Sequence, residues 1–372
     1  GQFLPVESWE MKLSSTALGL LKSKFTSRPF YIRYHITHRC NYNCGMCSQS
    51  CGDAGGRELS TEQAAQVVDT LSSLGARHTV ITGGEPFLRA DLADVISLFA
   101  QRGFSVRVQT NGGPQVTREA VARCVSAGLQ DLSVSIDTLR AEVQDRICGV
   151  KGALDSALNT LSLAGELLPS SMSLANVVAS SYNFDELPSI VRFFHDRSIY
   201  TYVTPVMVAL PEEPGGEYRF RSKDKAFSLL GMEPQRINAV MREIMEMRRQ
   251  GMGLTNSTSY LEDFRRYLST GRCDWKCEAG NLFLDVFPDG GVSVCKEKNP
   301  ISNILDPDFR EYFLSGKFHE HSGEIASSCT GCFYGEYREP QYALRNLPTF
   351  VEWVHSWAGI FRHGMGFVGG NR

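Results

Sequence analysis

The sequence predicts an α/β protein built on a partial (β/α)6 barrel, with a small C-terminal domain that carries a β-hairpin. Three observations predict it. Between residues 30 and 210, six runs rich in β-branched and aromatic residues alternate with patterns of helical period. Short glycine-containing turns separate them, and parallel neighbours need crossover helices. A complete eight-fold barrel takes about 250 residues, more than this stretch supplies.

The first strand is YIRYHIT (31–37), and a loop dense in cysteine follows it directly. Ser60 with Gln63 three residues on forms a capping box, opening a helix whose apolar positions are Ala64, Val67, Val68, Leu71 and Leu74. Then come a strand at 78–82, a helix at 91–101, the strand SVRVQT (105–110) and a helix at 117–127. The alternation continues with strands at 132–136, 174–179 and 200–206, and helices at 153–167 and 184–195. Residues 1–29 read as an N-terminal extension with a short amphipathic helix, and residues 210–220 as a turn-rich loop. A helix at 234–249 carries Met and Ile at core spacing within a linking segment, 211–269. Residues 270–335 form the small cysteine-bearing domain, and 336–372 a terminal helix and tail. In such folds ligands bind at the carboxyl ends of the strands.

Composition narrows the function. A balance of 38 Lys+Arg against 41 Asp+Glu leaves a formal charge of -3, which gives no footprint for nucleic-acid binding. No stretch approaches the roughly 18 consecutive apolar residues of a membrane span, and no secretory signal pattern opens the chain, so a cytoplasmic location is expected. In a reducing compartment the eleven cysteines are expected to bind metal or do chemistry rather than to pair.

The loop CNYNCGMC places Cys40, Cys44 and Cys47 at C-x3-C-x2-C spacing. Three soft thiolates on one loop suit an iron–sulfur cluster with one iron left open. A closed zinc knuckle with Cys51 as fourth ligand is the competing reading of the spacing alone. Further polar groups fall on the same rim. GGEP (83–86) ends the second strand, where glycines allow close backbone approach, QTNG (109–112) ends the third, and SID (135–137) the fourth. Asn111, Ser135 and Asp137 thus face the cysteine loop, where they could hold an amino acid and a ribose.

Together, CNYNCGMC, GGEP, TNG and SxD in order, each at a strand end, resemble the radical S-adenosylmethionine (SAM) superfamily across residues 30–210. The resemblance implies that Cys40, Cys44 and Cys47 ligate a 4Fe-4S cluster whose open iron is chelated by SAM. It also implies that Gly83, Gly84 and Glu85 contact the SAM amino group, and that Ser135 and Asp137 serve its sugar or carboxylate end. Met46 stands where many members carry an aromatic residue against the adenine, and its flexible thioether can pack there. An external electron donor such as flavodoxin or ferredoxin is the implied partner.

Near the C-terminus, FLDVF and VSVC flank Pro288-Asp289-Gly290-Gly291, a hairpin signal, with Cys277 and Cys295 near its two ends and Cys329 and Cys332 as a later C-x2-C. Two separated pairs also describe a zinc ribbon. The pattern C-x12-G-x4-C with a downstream C-x2-C resembles the SPASM/twitch extension of the same superfamily. In its shorter twitch form this implies one auxiliary 4Fe-4S cluster on Cys277, Cys295, Cys329 and Cys332. Cys273 is left over as a substitute ligand, an inert thiol or a hydrogen donor to substrate. Cys51, Cys124 and Cys148 read as inert. Phe350, Trp353, Val354, Trp357, Ile360 and Phe361 form a terminal stripe expected to pack on the body.

The resulting expectation is an enzyme, of oxidoreductase or epimerase type, in which a 5'-deoxyadenosyl radical takes hydrogen from a small molecule such as a sugar or aminocyclitol. A ribosomal peptide or an apolar lipid-like substrate is the alternative, and a zinc-binding scaffold without catalysis the remote one.

Overall fold

A computed structural model of the chain describes residues 19–352, apart from 22, 24, 27, 49–55, 169–172, 210–219 and 274. Cys51 and the stripe residues from Trp353 onward lie outside the described residues. Six parallel strands form the barrel wall: β1 (Tyr31–Thr37), β2 (His78–Gly83), β3 (Ser105–Thr110), β4 (Asp131–Ser135), β5 (Leu174–Ala179) and β6 (Tyr200–Pro205). Helices α1 (Thr61–Ser73), α2 (Leu92–Gln101), α3 (Arg118–Ser126), α4 (Ala141–Cys148), α5 (Ala153–Leu167) and α6 (Leu187–His195) return the chain between them. The capping box at Ser60 and Gln63 opens α1 as the sequence predicts. α4 is an addition to the sequence reading. Its eight residues end on Gly149, whose φ of 70° is the left-handed region that glycine reaches without strain.

The alternation along the strands sorts the two faces of the sheet. Tyr34 packs edge-on against Phe99 of α2, and Ile32 and Ile36 are buried beside it, so this face meets the helices. On β3, Val106, Val108 and Thr110 are buried while Arg107 and Gln109 are half-buried on the concave side. An apolar outer layer thus leaves a concave surface lined by polar groups.

The sheet does not end at the barrel. β7 (Phe283–Val286) runs parallel to β1, with Arg33 opposite Asp285, and hairpin strands β8 (Gly291–Ser293) and β9 (Ser302–Asn303) extend the order to β6-β5-β4-β3-β2-β1-β7-β8-β9. The sequence-predicted hairpin therefore joins the barrel wall itself. On the concave side the junction is polar. Asp285 accepts from His35 Nε2 at 2.7 Å and from Tyr337 at 2.7 Å, and lies 3.4 Å from Arg33 Nε. Arg33 and Lys296 both reach Glu336 at 2.9 Å. Two cations and two carboxylates balance, with His35 held neutral because burial lowers its pKa to about 4.

The remaining helices are α7 (Pro234–Arg249), α8 (Thr258–Thr270), α9 (Phe309–Leu314), α10 (Lys317–Ser327) and α11 (Gly335–Arg345). α8 begins at Ser257, whose hydroxyl accepts from Tyr260 N, and buries Tyr260, Leu261 and Phe264. Phe333 O accepts from Tyr260 and from Thr204 of β6, which ties the segment entering α11 to the barrel. No helix among the described residues is long and apolar enough to cross a membrane.

Replacing Asp285 by Ala leaves His35 and Tyr337 buried without their acceptor and Arg33 with Glu336 as its remaining carboxylate, and stability in denaturant titrations is expected to fall by about 3–5 kcal/mol. His35 adds a pH dependence. Its folded pKa is depressed, so the unfolded chain binds the extra proton between about pH 6.5 and 4, and stability falls as pH drops through that window. His35→Gln is expected to flatten that slope in the same titrations.

Candidate metal centre and cofactor rim

The loop after β1 is fastened from two sides. From β2, Gly84 N donates to Thr37 O and Glu85 N to Arg39 O, both at 2.8 Å. The approach is too close for a side chain. A Cβ at Gly83, where φ is 142°, would lie 2.3 Å from Thr37 O, and one at Gly84 would lie 2.0 Å from Arg39 O. From α4, the carbonyls of Cys148 and Ile147 accept from Asn43 N at 3.1 Å and Gly45 N at 3.0 Å, bracketing Cys44. Gly149 again admits the contact, since a Cβ there would sit 2.5 Å from Asn43 O.

Glu85 turns inward. Its carboxylate accepts from Phe87 N, Thr110 Oγ1 and Asn111 N at 2.8 to 3.0 Å, so its side chain splices the GGEP turn to the TNG turn. Burial pushes its pKa up to about 7 against those donors. Asn111 sits at the next position, its amide 2.9 Å from Asn41 Oδ1 and 3.9 Å from Cys40 Sγ. Asp137 is buried, accepts from Val178 N at 2.8 Å, and is raised to about 7 by desolvation. Ser135 is half-buried at the end of β4. Met46 packs against the cluster of Ile147, Val206, Val208 and Phe227. The rim thus brings together Cys40, Cys44, Cys47, Gly83, Gly84, Glu85, Asn111 and Asp137.

The three thiols are close enough to disfavour each other's ionisation. Burial pushes Cys40 up to about 11, with Glu85, Cys44 and Cys47 adding to the shift. The Cys44 thiol rises further, first through a hydrogen bond with Cys148 and then through burial. Among the described residues no three His, Cys, Asp or Glu side chains converge on a single ion site. Three neighbouring soft donors that bind as thiolates fit an iron–sulfur cluster, which offers each one its own iron and supplies the positive charge that their ionisation needs.

A second cysteine group forms beside β7 and β8. The thiols of Cys277 and Cys295 are neighbours, and Cys332 lies near Cys277 and Cys329. Burial is the first cause of the upward shifts of Cys277, to about 12, and of Cys295 and Cys332. Cys273 joins this group rather than the rim. It neighbours Cys332 and Tyr267, and a Cβ at Gly331 would lie 2.6 Å from its own Cβ and 3.4 Å from Trp275 Nε1. That indole N–H is buried and has no partner among the described residues, a donor suited to a sulfide or thiolate. Cys124 is buried on the core face of α3.

A parallel barrel with three thiols on its first loop and glycine, carboxylate and amide groups on the following strand ends defines a cluster-binding α/β barrel protein. The Radical SAM superfamily profile matches residues 34–194, so this stretch is a Radical SAM domain, of a family whose cofactors are a 4Fe-4S cluster and SAM. The chain is 32% identical over 162 residues to "Mycofactocin maturase MftC" of Mycolicibacterium smegmatis, covering 43% of this chain and 40% of that protein. It is 37% identical over 136 residues to "AdoMet-dependent heme synthase" of Methanosarcina barkeri, covering 36% and 38%. "PqqA peptide cyclase" of Bradyrhizobium diazoefficiens is 29% identical over 170 residues, covering 45% and 44%. The matches therefore span less than half of each relative's length. The fold matches the crystal structure of Streptococcus suis SuiB with a TM-score of 0.60 at 14% identity, over 87% of this chain and 74% of that one.

Gly84→Ala drives a methyl into the Arg39 carbonyl and is expected to reduce iron bound after anaerobic reconstitution to a small fraction of wild type at the first site, read by iron and sulfide analysis.

Proposed function

We infer that the chain is a radical SAM enzyme that modifies a peptide, with a second iron–sulfur cluster serving electron transfer. The cysteine loop clamped between GGEP and the end of α4 carries this reading, because it presents three thiols where the strand-end polar groups of the barrel also converge. When bound, the cluster and SAM supply a 5'-deoxyadenosyl radical that abstracts hydrogen from carbon. The chain's own residues provide the rest. Cys40, Cys44 and Cys47 hold the cluster, the GGE backbone and Asn111 receive the methionine end of SAM, and Ser135 and Asp137 its ribose or carboxylate end. Met46 and its apolar neighbours offer the adenine a dry surface. The concave polar lining of Arg107 and Gln109 lies below the rim, where a substrate would be shielded from water.

Cys277, Cys295, Cys329 and Cys332 would hold the second cluster, with the Trp275 N–H as a donor to it. Four protein ligands leave no iron open to substrate, which suits a role in moving an electron to or from an external donor such as flavodoxin or ferredoxin. The location of Cys273 beside Cys332 favours a ligand or supporting thiol over a hydrogen donor at the rim.

The choice of a peptide rests on the printed activities of two relatives, a maturase and a peptide cyclase, and replaces the small sugar or aminocyclitol that the sequence alone suggests. The heme synthase relative favours a second reading, a non-peptide substrate such as a porphyrin. The deciding experiment is anaerobic incubation of the reconstituted protein with SAM, reductant and either precursor peptides or porphyrins. A SAM-dependent mass change in a peptide supports the proposal, a change in porphyrin alone overturns the peptide, and absence of 5'-deoxyadenosine overturns the enzymatic reading. Removal of Cys295 or Cys332 by Ala is expected to lower iron from about eight to about four per chain while SAM still perturbs the remaining cluster, as read by electron paramagnetic resonance.

A further inference from the structure

Arg39 and Glu58 stand at the two ends of the stretch that carries Cys40, Cys44 and Cys47, 19 residues apart in the chain and joined side chain to side chain. The Glu58 carboxylate accepts from Arg39 Nε and Nη2 at 3.0 Å each, the two-pronged geometry in which a guanidinium binds a carboxylate most strongly. Thr37, the last residue of β1, completes a circuit. Its hydroxyl donates to the same carboxylate and accepts from Arg39 N at 3.0 Å. The residue immediately before Cys40 is therefore held by its backbone and by its side chain.

The anchor is itself fixed. Leu59 N, the next residue, donates to Pro288 O at 2.8 Å, in the turn between β7 and β8. Arg89 lies 3.4 Å from the Glu58 carboxylate and donates to the carbonyls of Ile36 and Leu59 at 3.2 and 3.0 Å. It also has a second carboxylate, Asp91, at 2.7 Å, so loss of Glu58 leaves Arg89 paired and falls on Arg39 and Thr37. The side chains of Glu58 and Arg39 are 23% and 42% exposed. A lone ion pair with that exposure contributes little, and a two-pronged pair inside a network is the exception.

We propose that Glu58 is a positioning residue for the SAM-binding cluster, clasping Arg39 so that the base of the cysteine loop is closed and Cys40 is held ready for iron. The physical cause is chain entropy. Three thiols on an open loop must be ordered when they bind, and a loop already fastened at its base has less freedom to lose. Glu58 acts through Arg39 and touches neither iron nor SAM. The proposal rests on the cluster assignment made under Proposed function.

Two measurements on the full chain test it, with Glu58→Gln removing the charge at nearly constant volume and Arg39→Gln removing the other partner. In the iron-free protein, hydrogen exchange read by mass spectrometry is expected to run about threefold to tenfold faster in peptides covering residues 38–47, with β3 to β5 unchanged. After anaerobic reconstitution, an iron chelator is expected to strip the first cluster faster by the same factor, followed through the paramagnetic signal that SAM perturbs. The second cluster is the internal control and keeps its rate. The double variant is expected to match the single ones, because each already breaks the same pair. Wild-type rates in both single variants overturn the proposal. Equal acceleration at both clusters also overturns it, since that is general loosening, and so does a double variant in which the two effects multiply. If the wild type forms no SAM-responsive cluster, the cluster assignment falls and the positioning role with it, while faster exchange in the iron-free variants still separates that failure from the absence of a clasp.

Discussion

The pairing of β7 with β1, locked by Asp285, is the constraint on which the rest of the molecule depends. β1 is hydrogen-bonded on both edges, carries Arg33 and His35 toward the concave side and ends in the cysteine loop. Asp285 accepts from His35, lies in an ion pair with Arg33 and also accepts from Tyr337, whose hydroxyl in turn accepts from Lys296 N, next to Cys295. A continuous polar chain therefore runs from the second cysteine group to the strand that presents the first. Removing one member strands a charge in a dry interior, a far larger cost than losing an exposed ion pair. The two sites are thereby held in one sheet rather than on two hinged units.

Closeness of backbone sets the geometry at the rim itself. Gly83 stands where a Cβ would strike the last carbonyl of β1, and Gly84 and Gly149 where one would strike a carbonyl of the cysteine loop. The space given up by three side chains is used for hydrogen bonds that bring β2 and α4 against a loop with little regular structure of its own. Glu85 then extends the arrangement sideways to Thr110 and Asn111. Its carboxylate is buried because it organises turns, while the resemblance assigns the GGE motif to the SAM amino group. Both uses are compatible, since the side chain serves the turns and the outer edge of the motif can still meet a ligand.

Much of this was legible in the sequence. The six strands fall within a residue of where their alternation places them, because each has one face on the helices and one on the concave side. The capping box at Ser60 and the hairpin at Pro288–Gly291 are local signals and appear as such. The pairing of β7 with β1 was not legible, since contacts across some 250 residues leave no local mark. Its one trace is Asp285, an acid inside the otherwise apolar run FLDVF, which needed a buried partner somewhere. α4 left little trace because its eight residues, stopped by Gly149, are too few for a helical period to stand out.

The case of Cys148 shows where reading by motif stops. From spacing alone an isolated thiol is correctly presumed inert, for most buried cysteines act as small apolar groups. What changes its standing is the fold's need to fasten the cysteine loop from the α4 side. The backbone of residues 147 and 148 does the fastening, accepting from Gly45 N and Asn43 N. An apolar residue there would complete the packing and contribute nothing else. Gln144 joins the SID turn to the end of α4, accepting from Asp137 N and Thr138 N and donating to Cys148 Sγ. α4 thereby holds both the SID turn, through the Gln144 side chain, and the cysteine loop, through the backbone of residues 147 and 148.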